Sequence, residues 1–385
     1  MKASVVYKFA AWVAIAFLFF VIVSGLAWYF QSKKPYSIYI LDKTVPDNKR
    51  TEHKSFNWIL NNYRITNKNL KAYNYNRDYY GYFPYTKVSG SRDYLVKSLR
   101  LSEILTIPDE LDMVYYADAY GVNKGDIYDQ PSDRRRRSTI NYGGLNQNDY
   151  LLLSEMKRKN KLIIAEFNML ESPTADLIRQ KTENLFDIEW TGWKGCYFKS
   201  LDTTNVDLPA NLIQAFEKEY HQKWNYKGAG IVLFQEKGNI IVLNDSLLSE
   251  PYIKIITGQH GQDVYHLPKI QNYSYWFEII KSGNNNVISN YHLPVNDKGK
   301  RVLEKYGLST NFPAVIEHLD GYKFYYFAGD FSDRNISMVS SYSKGFASVA
   351  SVFYSSSSSS KKAFFWRYYK PLIYNIINKN LINSK

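Results

Sequence analysis

The longest unbroken apolar pattern in the chain runs from Phe9 to Phe30, FAAWVAIAFLFFVIVSGLAWYF, without a charged residue. At about 1.5 Å rise per residue, this stretch is long enough to cross a hydrocarbon core of about 30 Å. Trp28 and Tyr29 fit an interfacial aromatic belt, and lysines at 2, 8, 33 and 34 flank the run. It is long for the apolar core of a signal peptide, and no A-x-A-like site follows it. The pattern predicts an uncleaved membrane anchor over residues 1–34. Its short basic leading tail predicts that the body lies on the extracytoplasmic side, single-pass at the cell membrane.

Beyond Lys34 the apolar runs shorten and polar residues punctuate them. YSIYILDKTVP (36–46), LDMVYYADAYG (111–121) and LIIAEFN (162–168) read as buried strands ending at Asp42, Asp118 and Glu166. Between them, residues 51–63 show helical spacing with Thr51 as a plausible cap. Residues 146–161 form a second helix opening at Asn146 or Asn148, and 172–186 a third, capped by Ser172 with Pro173 at its first position. Strands alternating with helices imply an α/β body with a largely parallel sheet and flanking helices. Later the pattern changes. Residues 228–244, 273–293 and 314–331 read as antiparallel hairpins, turning at Lys237-Gly238, a Ser-Gly-Asn turn and Asp320-Gly321. The expected domain therefore covers 35–350. A Ser-rich linker and a basic, aromatic tail occupy 351–385, the tail being suited to rest on a membrane surface or dock on a membrane partner.

The formal net charge of +13 favours anionic partners, acidic glycan or anionic lipid. No zinc-finger spacing or RNA-binding signature is present, which argues against nucleic acid. The 35 tyrosines reflect either base composition or exposed rings suited to sugars and proteins. The lone cysteine, Cys196, excludes an intrachain disulfide and reads as a buried inert thiol. No H-x-x-x-H or H-E-x-x-H pair exists, so no metal and no cofactor is expected.

The element order, with YGGLNQNDYLLLSEMKRKNKLIIAEFN and the late FPAVIEHLDGYKFYYFAGDF, resembles the class I glutamine amidotransferase-like fold, and within it the ThuA type. The resemblance covers residues 36 to 335 in order of elements and implies an amidotransferase- or flavodoxin-like sheet. Uncharacterised single-span bacterial envelope proteins are also similar. The sequence departs from true amidotransferases: the third strand ends in Ala165-Glu166-Phe167-Asn168 in place of Gly-x-Cys-x-Gly, and Glu317-His318 reverses the expected order. These departures argue against glutamine hydrolysis through a thiolate.

In a parallel sheet, strand C-termini converge on one crevice. Asp118 and Glu166 are the candidate catalytic pair for acid–base work on a glycosidic bond, with Asp42, Asn168 and Asp330 as ligand contacts. The bland alternative is that these side chains cap helices and turns. The run Arg134, Arg135, Arg136 and Arg137 suits phosphate or carboxylate, or is a solvated loop. Trp190 and Trp193, in EWTGWKGCYF, either stack on a sugar from a Gly-rich loop or pack on the core. The expected function is a binding or assembly component of the envelope with envelope protein partners, in polysaccharide export or synthesis. The alternative is a carboxylate-dependent hydrolase of an envelope glycan.

Overall fold

Five parallel strands form the middle of a ten-stranded sheet, in the spatial order Tyr80–Thr86, Ile38–Asp42, Met113–Asp118, Leu162–Glu166 and Lys323–Phe327. This is a computed structural model, and it describes residues 3–128, 139–236, 238–346, 350, 354 and 358–383. The central three strands are buried at every position. Strands covered on both faces have no polar face to alternate with, hence their nearly continuous apolar runs. Antiparallel strands extend both edges. Arg92–Lys97 lies outside Tyr80–Thr86, while Asn311–His318, Asn286–His292, Ile253–Thr257 and Ile270–Tyr273 continue beyond Lys323–Phe327. The sheet is therefore mixed, not largely parallel.

Local chemistry sets the helix starts. Gln147–Arg158 opens on a reciprocal cap: the Asn146 side chain accepts from the Asn148 and Asp149 N–H groups, and Asp149 accepts from the Asn146 N–H. Thr51 is inside its helix, Thr51–Asn62, where Arg50 precedes it in the left-handed region at φ 50° without a side-chain cap. The helix Asp176–Phe186 starts after Ala175, so neither Ser172 nor Pro173 begins it. Gly81 pairs with Asp42 at φ +119°, and a Cβ there would lie 1.8 Å from the Asp42 carbonyl oxygen. Only glycine lets this edge close on the strand end that carries Asp42.

A second, fully antiparallel sheet runs Ile240–Asn244, Gly230–Gln235, Glu189–Phe198, Phe277–Lys281. One face packs a small core of Cys196, Phe198, Leu212, Phe216, Trp224 and Val232 against the helix Ala210–Tyr220. The 273–293 hairpin does not form. Phe277–Lys281 joins this sheet, whereas Asn286–His292 joins the large one.

The C-terminal segment is core, not tail. A turn of α-helix (Lys361–Phe364), a π-helical turn (Phe365–Tyr369) and the helix Lys370–Asn383 follow one another. Phe364, Phe365, Trp366, Tyr368 and Tyr369 are buried. Its basic side chains lie over rings: Lys370 over Tyr63 and Lys361 over Tyr275. The charges that suggested a membrane surface are accommodated by aromatic faces of the body itself.

In the helix Ala3–Tyr29, residues 7–23 are exposed, and the span Tyr7–Tyr29 has a mean hydropathy of 2.5. By length and composition it can cross a membrane. Its last two turns are gripped by the body. The Lys344 N–H donates to the Ser24 carbonyl (3.0 Å), and the Ser343 hydroxyl donates to Ser24 Oγ (2.8 Å). The Trp28 indole donates to the Asn61 carbonyl (3.0 Å) and stands edge-on to Tyr342.

Candidate functional site

Asp42, Asp118 and Glu166 end three adjacent parallel strands, as the apolar runs predict, but they point into protein. Asp42 is fully buried. Its Oδ2 meets Nδ1 of buried His53 at 2.5 Å, and its Oδ1 accepts from the Thr44 N–H at 2.9 Å. The other ring nitrogen, Nε2, faces the Tyr75 carbonyl at 2.7 Å. Both ring nitrogens thus face oxygen atoms of the body. Asp118 accepts from the Thr44 hydroxyl (2.7 Å), the Tyr120 N–H (2.6 Å) and the Asn168 amide (3.0 Å). Burial pushes its carboxyl up to about 7 against those three donors. Asn168 sits at φ 67°, the left-handed region that Asn tolerates best after Gly. Beside this network Lys43, also buried, donates to the Gly144 carbonyl (2.7 Å) and to Asp149 (2.5 Å).

Glu166 is 1% exposed, and every contact it makes is internal. Oε1 accepts from the Tyr115 and Tyr369 hydroxyls at 2.6 and 2.9 Å, and Oε2 from the Ser332 N–H at 3.1 Å. Burial outweighs these donors and pushes its carboxyl up to about 8 from an ordinary 4.5. A carboxyl with a raised folded value holds its proton more tightly when folded. Its contribution is thus fully present below the unfolded value and is lost as pH rises through the folded one. Wild-type urea stability is expected to fall more steeply from about pH 5 to about pH 8 than that of Glu166→Gln, by a few kcal/mol at most. Parallel stability curves for the two proteins would refute this.

A different carboxylate group faces outward. Glu52, Asp330 and Asp333 are half-buried and bring one oxygen each within 4.8 Å of one another. Burial and mutual repulsion hold Glu52 and Asp330 well above the usual carboxylate range. Lys361 reaches in at 2.6 Å from Asp333. Burial opposes its charge, but Asp330, Asp333 and Glu52 together hold the ammonium above its usual range. These three carboxylates offer oxygen ligands of the kind a hard cation takes, yet the lysine already supplies a neutralising charge.

Lys361 is also the wall of a neighbouring cleft of about 500 Å³, between the two sheets. Tyr197, Phe198, Tyr275 and Trp276 are among its lining residues, with Lys199, Asn205 and Asp207 as polar groups. Trp276 is half-buried, edge-on to Phe198 and Phe234, and its carbonyl accepts from the Asp330 N–H at 3.0 Å. The cleft and the acidic group therefore share a backbone contact and a lysine.

No protein-family model matches the chain, and no curated protein matches it in sequence. Among solved structures it is similar to a ThuA-like protein from Parabacteroides merdae, at 11% identity and a TM-score of 0.36, over 77% of this chain and 79% of that one. It is also similar to a beta-galactosidase from Bacillus circulans sp. alkalophilus, at 9% identity and a TM-score of 0.35, over 80% of this chain and 30% of that one.

The remaining sequence candidates fall elsewhere. Trp190 and Trp193 lie in the strand Glu189–Phe198 rather than a loop and are buried, so neither offers a face to a sugar. The Trp190 indole donates to the Trp193 carbonyl, and Trp193 stands edge-on to Tyr306. Cys196 is buried, and burial pushes its thiol well up. Arg134, Arg135, Arg136 and Arg137 lie outside the described residues, as does Lys237. Glu317 pairs with His260 at 2.6 Å, while His318 stacks on Tyr322. His53, Glu52, Asp333 and Trp276 were missed. Only Glu52 and His53 carried a faint signal, as polar positions at the start of a helix that follows a strand-end Asp.

Proposed function

We propose that this chain is a single-pass membrane protein whose extracytoplasmic body binds an acidic saccharide of the cell envelope in the cleft beside Lys361. The observation that carries this reading is the composition of that cleft: four aromatic residues, two lysines, an amide and a single aspartate around a space of about 500 Å³. Aromatic faces suit sugar rings, and ammonium groups suit their carboxylates or phosphates. The internal satisfaction of Asp42 and Glu166 supports binding over hydrolysis through strand-end carboxylates. One observation favours the hydrolase alternative: Glu52, Asp330 and Asp333 bring one carboxylate oxygen each within 4.8 Å of one another next to the cleft, and burial and neighbouring charge hold Glu52 and Asp330 above the usual carboxylate range.

Full-length protein in nanodiscs, titrated calorimetrically with uronic-acid oligosaccharides, is expected to bind, and Trp276→Ala to weaken binding about tenfold or more. Equal affinity of wild type and Trp276→Ala would reject the cleft. Release of shorter oligosaccharides by wild type would replace binding with hydrolysis.

A further inference from the structure

The grip of the body on the membrane helix creates a second groove, exactly where that helix would leave a bilayer on the anchor reading above. Trp28, Lys33, Asn61, Arg64, Thr66 and Leu70 line it, around a volume of about 460 Å³. The Arg64 guanidinium lies 4.5 Å from the Trp28 ring centroid, held over its face. Among the described residues Arg64 has no acidic partner, and no acidic residue lines the groove. Two of its lining residues each carry a buried polar atom without a protein partner, Nε of Arg64 and Oγ1 of Thr66. Thr66 is only 3% exposed, so its hydroxyl has little access to bulk water. A donor left unmet beside a guanidinium is what an acceptor-rich anion would satisfy. On the other side of the helix exit, a similar groove is lined by Lys34, Lys344 and Lys370, again without an acidic residue.

We infer that the groove between Trp28 and Arg64 binds the headgroup phosphate of an anionic phospholipid. Several features commit the site to lipid rather than to a soluble phosphate. Lys33 lies four residues past the end of the helix at Tyr29. Ser24, which the body holds through Ser343 and Lys344, lies five residues before that end, about 7.5 Å down the helix axis. The groove thus opens at the depth of the headgroups, with Trp28 and Tyr29 as the interfacial belt. Leu70 and the exposed face of the helix offer an apolar path for the acyl chains, and a free phosphate would have no use for it. The cationic collar on both sides supplies the long-range attraction to an anionic leaflet.

The test uses full-length protein reconstituted in nanodiscs of phosphatidylcholine, with and without about one-fifth phosphatidylglycerol. After exchange into detergent, native mass spectrometry counts the lipids that stay bound. Wild type is expected to retain phosphatidylglycerol selectively over phosphatidylcholine. Arg64→Gln is expected to retain about fivefold less, and Lys227→Gln, exposed and lining neither groove, the same amount as wild type. Thr66→Val tests the hydroxyl with little change of shape, and a lesser loss is expected. Millimolar inorganic phosphate should not displace the lipid. Equal retention by Arg64→Gln, or no preference for phosphatidylglycerol, overturns the inference. So does displacement by inorganic phosphate, which would make the groove a soluble-anion site. Carbonate extraction of the same protein from membranes separates this result from the anchor reading: a chain released by carbonate defeats the anchor, whereas a retained chain without lipid selectivity defeats only the groove.

Discussion

A chain that stops at Ser360 is expected not to fold. The removed segment carries, among the described residues, nine large buried apolar side chains: Phe364, Phe365, Trp366, Tyr368, Tyr369, Leu372, Ile373, Ile376 and Ile377. Each contributes roughly 1.5–3 kcal/mol by burial, so losing all of them exceeds a typical stability of about 5–15 kcal/mol. The segment is also wired in by polar contacts. Tyr369 donates to Glu166, Tyr368 bonds Ser289 at 2.5 Å, and Asn375 donates to the Tyr265 carbonyl at 2.8 Å. Tyr374 stacks on Tyr63, and Trp58 meets Phe365 and Trp366 edge-on. Without these residues Glu166 loses a donor and Trp58 loses the two rings packed edge-on to it. The expected measurement is loss of a cooperative urea transition and rapid cleavage by trypsin at positions protected in the full chain. A truncated chain that unfolds cooperatively within about 1 kcal/mol of wild type would return the segment to the status of a tail.

His53→Ala is expected to cost about 3–5 kcal/mol. Both Asp42 and His53 are sealed from water, and the imidazole occupies the space between the strand end and the Tyr75 carbonyl. Its removal leaves a carboxylate with one backbone donor and a carbonyl with none, in a volume no longer filled. Chemical denaturation of the full-length protein in detergent measures the loss. A cost under about 1 kcal/mol would mean that water replaces the ring and that the pair is not sealed. The double variant His53→Leu with Asp42→Asn should recover part of the loss, because it removes the charge as well as its partner.

Much of the central sheet is legible in the chain, for a physical reason. Ile38–Asp42, Met113–Asp118 and Leu162–Glu166 are buried on both faces, so their residues are apolar without alternation and each run stops at a carboxylate. The strand Glu189–Phe198 is not legible because glycine at 192 and 195 resembles loop composition. Gly195 is there for packing: a Cβ would come 2.5 Å from Leu233 and 2.7 Å from Phe277, on the two neighbouring strands. The turn after Lys281 is likewise visible, but not its consequence. Asn285 donates to the Phe186 and Asp187 carbonyls and Gly283 abuts Asp187, which carries the chain from one sheet to the other. A turn signal reports a change of direction and says nothing about whether the strands beside it pair.

The site was legible at its inner edge only. Strand-end position announces Asp42, Asp118 and Glu166, yet position cannot reveal that Tyr115, Tyr369 and His53 already occupy them. The outward group joins Glu52, Asp330 and Asp333 from segments nearly three hundred residues apart. No local pattern connects them. Trp276 was hidden for the same reason, as one aromatic residue among many in a tyrosine-rich chain.

The grip of Ser343, Lys344 and Asn61 on the last turns of the helix governs what the body can meet. A long flexible stem would let a domain sweep a hemisphere above its anchor. Here only Phe30 to Lys33 separate the helix from the first residues paired in the body. On the anchor reading proposed above, the body would stand at one height and one heading, and would explore its surroundings by sliding and spinning in the plane of the bilayer. On that reading encounters would reduce to two dimensions, and the surface density of a membrane partner, rather than its bulk concentration, would set how often they meet. Any tilt imposed on the helix is also felt by Asn61 and, through the same Thr51–Asn62 helix, by His53 and Glu52 at its other end.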